Sequence, residues 1–309
     1  MGIACKKNIG VLVINYILYK LLNNIIYNIY LIFFRDRGKN IHKHAKIFLD
    51  INHKTTHLGD RLFFWDLINF ENHNGRAVFI DTNDAVSHEL FNSLGLKVEF
   101  LRKKDVDTKF ISLKSKFLSD FFKNPLKVFS VYYLDFYKIK GPLSKEILKS
   151  IRNPEGIDLP VLFRPKILKI DQTSNKVVIF NNYVDSGKFR LGFIKVSKLN
   201  KRAEELANQG FEIWHVGSRN DKVGDKSDYP FVSQDMRGKT SLKELIEYFS
   251  TDRISSVVSY DNFFLHLAEL YEIPSEILFR GRFLKSARTH HFNSVNIGLT
   301  RTISKINYL

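Results

Sequence analysis

Short apolar runs alternate with longer amphipathic stretches along most of this chain, and that alternation constrains its fold more than any other feature. Ala45 to Asn52, Ala77 to Ile80 and Lys97 to Phe100 read as strands, with helical spacing over Arg61 to Asn72 and Ala85 to Leu94 between them. The same order resumes later in the chain. A strand over Val177 to Phe180 precedes a helix over Lys195 to Gln209 that Gly210 closes, and a strand over Phe211 to Val216 follows. A helix over Leu242 to Ser250, a strand over Ile254 to Ser259, a helix over Phe264 to Tyr271 and a strand over Glu276 to Phe279 complete the series. The short, mostly apolar runs Ala45 to Asn52 and Ile254 to Ser259 read as buried parallel strands, and the alternation with helices implies a parallel sheet.

The segment from Lys109 to Ser150 departs from this rhythm. It reads as mostly helical around a short apolar run at Val128 to Leu134. Asn153-Pro154-Glu155-Gly156 and Phe163-Arg164-Pro165 then punctuate the chain, and a domain boundary is expected there. With 309 residues and 44% hydrophobic content, two cores of ordinary size are affordable. The expected division is a leader over 1–40, an α/β domain over 41–165 and a second over 166–309.

The leader, Ile9 to Phe34, is strongly apolar, yet Asn15, Tyr19, Asn23 or Asn24, and Asn28 recur at about helical spacing beside Lys20. Burying that polar stripe opposes insertion across a bilayer. An amphipathic helix is expected instead, lying in a membrane surface with Arg35, Arg37 and Lys39 at headgroup level, or packed on protein. No small-residue cleavage site follows, so a cleaved signal is not expected.

A formal charge of +16 calls for an anionic partner: phosphorylated glycolipid, acidic membrane or nucleic acid. Arg102-Lys103-Lys104 and the Lys109 to Lys127 stretch, with Phe110, Phe117, Phe121 and Phe122, have the composition of a single-strand-binding surface. No nucleic-acid motif accompanies them, so no specific nucleic acid is expected. The lone cysteine, Cys5, excludes an internal disulfide and any Cys-based zinc site, and fits a reducing compartment. His42, His44, His53, His57, His290 and His291 show no ligand spacing with carboxylates, so no metal site and no cofactor are expected.

Two polar stretches follow strand candidates directly. The first is His53-Lys54-Thr55-Thr56-His57-Leu58-Gly59-Asp60; the second is Ser259-Tyr260-Asp261-Asn262-Phe263-Phe264-Leu265-His266-Leu267-Ala268. Loops at the carboxyl ends of parallel strands face the ligand crevice of an open sheet. Lys54 to Asp60 resembles the N-terminal motif of the bacterial heptosyltransferases, glycosyltransferase family nine. Asp261 with His266-Leu267 and Pro274 resembles that family's C-terminal signature, and Gly238-Lys239-Thr240-Ser241-Leu242-Lys243-Glu244-Leu245 is similar to a segment between them. The likeness covers roughly 45–85 and 177–285.

The resemblance implies a GT-B architecture, two Rossmann-like domains facing a cleft, and transfer of a sugar from a nucleotide-sugar donor to a lipopolysaccharide-type or other envelope glycan. It implies a peripheral enzyme on the inner face of the bacterial inner membrane. Asp60 would be the base that deprotonates the acceptor hydroxyl, kept ionised by the neighbouring helix N-terminus, although an Asp in this place also serves as a helix cap. Lys54 and His57 would bind acceptor phosphate or orient Asp60. The family's phosphate-binding residues map onto Asn181 to Arg190, which makes Ser186, Lys188 and Arg190 the candidates for the leaving diphosphate. Asp261 would hold the donor sugar, with Asn262, His266, Gly217 and Arg280 completing the donor side. Phe263 departs from the family, which usually has Gly there. That departure motivates an alternative: a degenerate relative that binds glycolipid or an assembly partner without transfer. Ser241 with Glu244 three residues on is also a capping box, which alone explains that segment.

Overall fold

The first apolar run forms strand β1 (Lys46–Asp50), whose Ile47, Phe48 and Leu49 are fully buried. A short helix α1 (Leu58–Arg61), a 3-10 turn over Leu62–Phe64 and helix α2 (Trp65–His73) follow as one continuous helical run. Strand β2 (Val78–Asp81), helix α3 (Ala85–Ser93) and strand β3 (Val98–Leu101) continue the alternation. The computed structural model describes residues 45–51, 58–107, 109–114, 129–132, 143–152, 168, 176–181, 196–218, 229–259, 262–279 and 305–308.

The stretch from Lys109 does not begin as a helix. Phe110–Lys114 is strand β4, Phe129–Tyr132 is strand β5, and the helix α4 spans only Leu143–Arg152. β4 pairs with β1 over five residues, from Lys46 opposite Phe110 to Asp50 opposite Lys114. Its Phe110, Ile111, Ser112 and Leu113 are all buried, so the strand is chosen by a neighbour distant in sequence and not by its local Lys-rich context. The resulting parallel sheet has the order β3-β2-β1-β4-β5.

Helix α4 closes this half of the molecule. Arg152 donates through Nε and Nη2 to the two Glu71 carboxylate oxygens at 2.6 and 2.8 Å, and through Nη2 to the Ala45 carbonyl at 2.8 Å. Arg76 adds a second guanidinium to Glu71, with Nε at 2.7 Å. A buried carboxylate held by two arginines has its charge compensated and its lone pairs filled, which is the condition for tolerating it in a core.

The second sheet comprises β6 (Val177–Asn181), β7 (Glu212–His215), β8 (Gln234–Asp235), β9 (Ile254–Ser259), β10 (Ser275–Phe279) and β11 (Lys305–Tyr308). Their order is β11-β10-β9-β6-β7-β8, and every neighbouring pair is parallel. Helices α5 (Val196–Asn208), α6 (Leu242–Phe249) and α7 (Phe263–Leu270) connect them. All five residues of β6 are buried, which is the both-faces-covered pattern of a central parallel strand. Gly210 has φ +86°, a left-handed conformation that lets the chain leave α5. At Ser241 the expected capping box forms: its hydroxyl accepts from the Glu244 N–H at 3.2 Å, and Glu244 Oε2 accepts from the Ser241 N–H at 2.7 Å.

In each sheet the order reverses direction beside its first strand, between β1 and β4 in one and between β6 and β9 in the other. Such switch points open a crevice at the strands' carboxyl ends. One apolar cluster runs through both sheets, from Ile47 and Leu49 through Phe63 and Leu90 to Leu245, Phe263 and Leu267. The two halves are therefore packed together on apolar surface as well as joined by chain.

Candidate functional site

The last residues of the first motif, Leu58, Gly59 and Asp60, open helix α1, the next element after β1 in the chain. Helix formation begins at Leu58, so Asp60 lies within the first helical turn and does not cap a helix beginning at Arg61. An acidic side chain there faces favourable helix-dipole potential. Asp60 is partly exposed, whereas Gly59 beside it is buried.

Gly59 is buried because the second motif packs on it. A Cβ placed on Gly59 would lie 3.0 Å from Cδ2 of His266, 3.2 Å from the Phe263 nitrogen and 3.3 Å from the Phe263 Cα. Only a residue without a side chain permits this approach of helix to helix. His266, 4% exposed, meets the Phe63 ring edge-on at 5.0 Å between centroids, and its Nδ1 lies 3.8 Å from Glu269 Oε2. The two motifs, far apart in the sequence, thus meet through Gly59, Phe63, Phe263 and His266.

The start of α7 is shaped by Asn262. Its Oδ1 accepts from the Phe264 N–H and from the Ser259 hydroxyl, both at 3.0 Å. Its Nδ2 donates to Asn181 Oδ1 at 2.7 Å, and Asn181 Nδ2 donates to the Val216 carbonyl at 2.5 Å. Phe263, whose bulk departs from the family's glycine, is 8% exposed and packs edge-on against Phe264.

Arg61, the residue after Asp60, is 3% exposed. Its Nη1 donates to Asp84 Oδ1 at 2.5 Å and to the Ser87 hydroxyl. Asp84 also caps α3 by accepting from the Ser87 N–H at 3.2 Å. The turn that carries Asp60 is thereby tied to α3 through a buried ion pair.

Around the end of β7, His215 is 1% exposed between the rings of Phe180 and Tyr229, at 5.5 and 4.8 Å. Burial, reinforced by the Arg237 charge, pushes its pKa down to about 3, so the ring is neutral. Asp235 accepts from Arg237 through Nε and Nη2 at 2.9 Å each, and chiefly this bonding holds its carboxyl down at about 2. Gly217 joins the same turn, since its carbonyl accepts from the Gly238 N–H at 2.8 Å.

The structure therefore brings Gly59, the neighbour of Asp60, against Phe263 and His266, sets Asn262 at the start of the same helix, and places Gly217 just after strand β7. Lys54, His57, Ser186, Lys188, Arg190, Asp261 and Arg280 lie outside the described residues, as do the leader and the expected boundary over 153–165. Sequence reasoning missed Asn181, Ser259, Phe63 and Arg61. For Asn181 the available signal was a polar side chain closing an otherwise wholly apolar run. Among the described residues, no group of three or more His, Cys, Asp or Glu is placed to hold a metal ion. The carboxylates of Asp105-Val106-Asp107 are used locally, Asp105 accepting from Arg102 at 2.9 Å and Asp107 from the Lys109 N–H at 2.8 Å. Among the same residues no helix is long and apolar enough to cross a membrane.

Neither protein-family models nor curated protein sequences match the chain. Solved structures do. The E. coli ADP-heptose lipopolysaccharide heptosyltransferase II superposes with a TM-score of 0.55 at 13% identity, over 86% of this chain and 90% of that one. The fold is GT-B. A family-nine glycosyltransferase from Veillonella parvula gives a TM-score of 0.54 at 10% identity, covering 77% of this chain and 81% of that one. The iron-containing dodecameric glycosyltransferase TibC from enterotoxigenic E. coli gives 0.52 at 14% identity, covering 85% of this chain; the match spans 64% of TibC's length. In a GT-B fold two Rossmann-like halves face one another, and here Gly59 of the first half packs on Phe263 and His266 of the second.

Proposed function

We propose that this chain is an inverting, metal-independent glycosyltransferase that moves a sugar, heptose or another, from a nucleotide donor to an anionic envelope glycan or glycolipid. The observation that carries this reading is the packing of the Gly59-Asp60 turn against the start of α7. It brings Gly59, the residue before Asp60, to the start of the helix that in this reading faces the donor's diphosphate.

Asp60 takes the proton of the acceptor hydroxyl as that oxygen attacks the anomeric carbon. The bond from that carbon to the diphosphate breaks on the opposite side, and configuration inverts. The nucleoside diphosphate leaves with its new charge stabilised by Ser186, Lys188, Arg190 and Arg280 together with the α7 amides. Asp261 holds the donor hydroxyls, Asn262, His266 and Gly217 shape that pocket, and Lys54 and His57 receive the acceptor's phosphate. The division of labour follows an acceptor-side domain over 41–165 and a donor-side domain over 166–309. The 1–40 leader rests on the inner face of the bacterial inner membrane.

Asp60→Asn is the decisive variant. Transfer should fall by at least about a hundredfold, the lower bound for a positioned general base, while nucleotide binding and thermal unfolding stay as in the wild type. Unchanged turnover overturns the base assignment. A second reading, binding without transfer, is favoured by Phe263 and by the capping of the Phe264 N–H within the chain itself. Wild-type protein that binds a nucleotide-sugar yet transfers nothing to any envelope acceptor would establish it.

A further inference from the structure

We infer that Asn181 is a positioning residue that sets the donor-side loops in register through a one-way relay of side-chain amides; the inference rests on the donor-site reading above. The relay lies at the switch point between β6 and β9, where a ligand crevice opens. Asn181 closes β6, Ser259 closes β9, Asn262 begins α7, and Val216 follows β7. The chain leaves the sheet at these strand ends, and a single hydrogen-bonded chain joins them.

The polarity of that chain is dictated at one end. The Phe264 N–H is a donor only, so the Asn262 atom it meets must be the carbonyl oxygen, which also accepts from Ser259. Nδ2 of Asn262 is then turned towards Asn181, which must present its own oxygen. Nδ2 of Asn181 is left facing the Val216 carbonyl, an acceptor only. Each amide fixes the next, and no residue but one with an acceptor and a donor on the same short side chain completes position 181. Asn181 is 1% exposed and Ser259 fully buried, so water does not substitute at either. The two asparagines are 81 residues apart, and the helix whose first turn they orient is the one packed on Gly59.

Asn181→Asp makes the test specific. An ionised Asp accepts from Asn262 but turns a second oxygen on the Val216 carbonyl; once protonated, its O–H donates there and the relay is restored. Asn181→Leu has no such route. The full-length wild type and both variants are titrated with ADP, GDP, UDP, CMP and dTDP at pH 8 and pH 5, with thermal unfolding and amide hydrogen exchange measured in parallel. Both variants should bind the preferred nucleotide at least about tenfold more weakly at pH 8, which is about 1.4 kcal/mol. At pH 5, Asn181→Asp should recover to within about threefold of the wild type, and Asn181→Leu should not. Wild-type affinity in both variants at pH 8, or equal behaviour of the two at pH 5, overturns the inference. If the wild type binds no nucleotide, the donor reading fails by itself. The relay is then judged on exchange at the β6, β7 and β9 loop roots, which must rise together in Asn181→Leu and recover at pH 5 in Asn181→Asp. A rise confined to one root overturns it.

Discussion

Gly59→Ala tests whether the two motifs are truly packed as the structure has them. Glycine within a helix is less favourable than alanine by about 1 kcal/mol, so an unobstructed Gly→Ala change in α1 would stabilise the protein. Here the new methyl meets Cδ2 of His266 at 3.0 Å and the backbone of Phe263 at 3.2 and 3.3 Å. The His266 ring is buried against Phe63, and the Phe263 backbone is held by the Asn262 cap, so neither yields easily. Overpacking of this kind costs about 1–3 kcal/mol. The clash outweighs the propensity gain, and a net loss near 1 kcal/mol is expected, which lowers Tm by roughly 1.5 °C for a chain of this length. Thermal and urea unfolding of Gly59→Ala, His266→Ala and the double variant measure it. His266→Ala removes the closest contact only, so in the double variant Gly59→Ala should cost less than it does alone, without vanishing. A stabilised Gly59→Ala refutes the packing, because it shows open space where the helix α7 backbone should be.

Arg152→Met should lower stability by about 3 kcal/mol in urea unfolding, because Glu71 is left buried with only the partly exposed Arg76 to compensate it; a loss below about 1 kcal/mol would show that the α4 anchor is dispensable. His215 should make the protein acid-sensitive. Its folded pKa of about 3 lies below the ordinary 6.5, so the unfolded chain takes up a proton that the folded one refuses. Stability is then complete above about pH 6.5 and falls by about 1.4 kcal/mol per pH unit down to about pH 3. Asp235, depressed to about 2, adds stability above about pH 4 that is lost as pH falls through 2, so the two windows overlap only between about pH 3 and 4. His215→Leu should remove one proton's worth of slope between pH 6.5 and 4 in urea titrations, and an unchanged slope would contradict a buried neutral histidine.

The alternation of strand and helix was legible because it depends on local pattern: an apolar run such as Val177 to Phe180 has no solvated face to offer anywhere, and Ser241 with Glu244 completes its capping box within one turn. Gly210 closes its helix for the same local reason. The motif residues of the heptosyltransferase resemblance were legible as a linear string, and the two motifs do meet, at Gly59, Phe263 and His266. Tertiary structure decided the rest. Phe110 to Lys114 has too few residues to declare its period, and pairing with β1 makes it a central strand. Arg61 reads as a surface charge until Asp84, 23 residues away, joins it in the core. His215 has its depressed pKa only because the fold buries it between Phe180 and Tyr229 beside Arg237. Gly59 is a helix residue like others until Phe263 arrives against it. A sequence determines which segments prefer to be extended, helical or capped, since those preferences act over a few bonds. Which buried groups share one space depends on long-range burial, and only the assembled fold brings them within hydrogen-bonding reach.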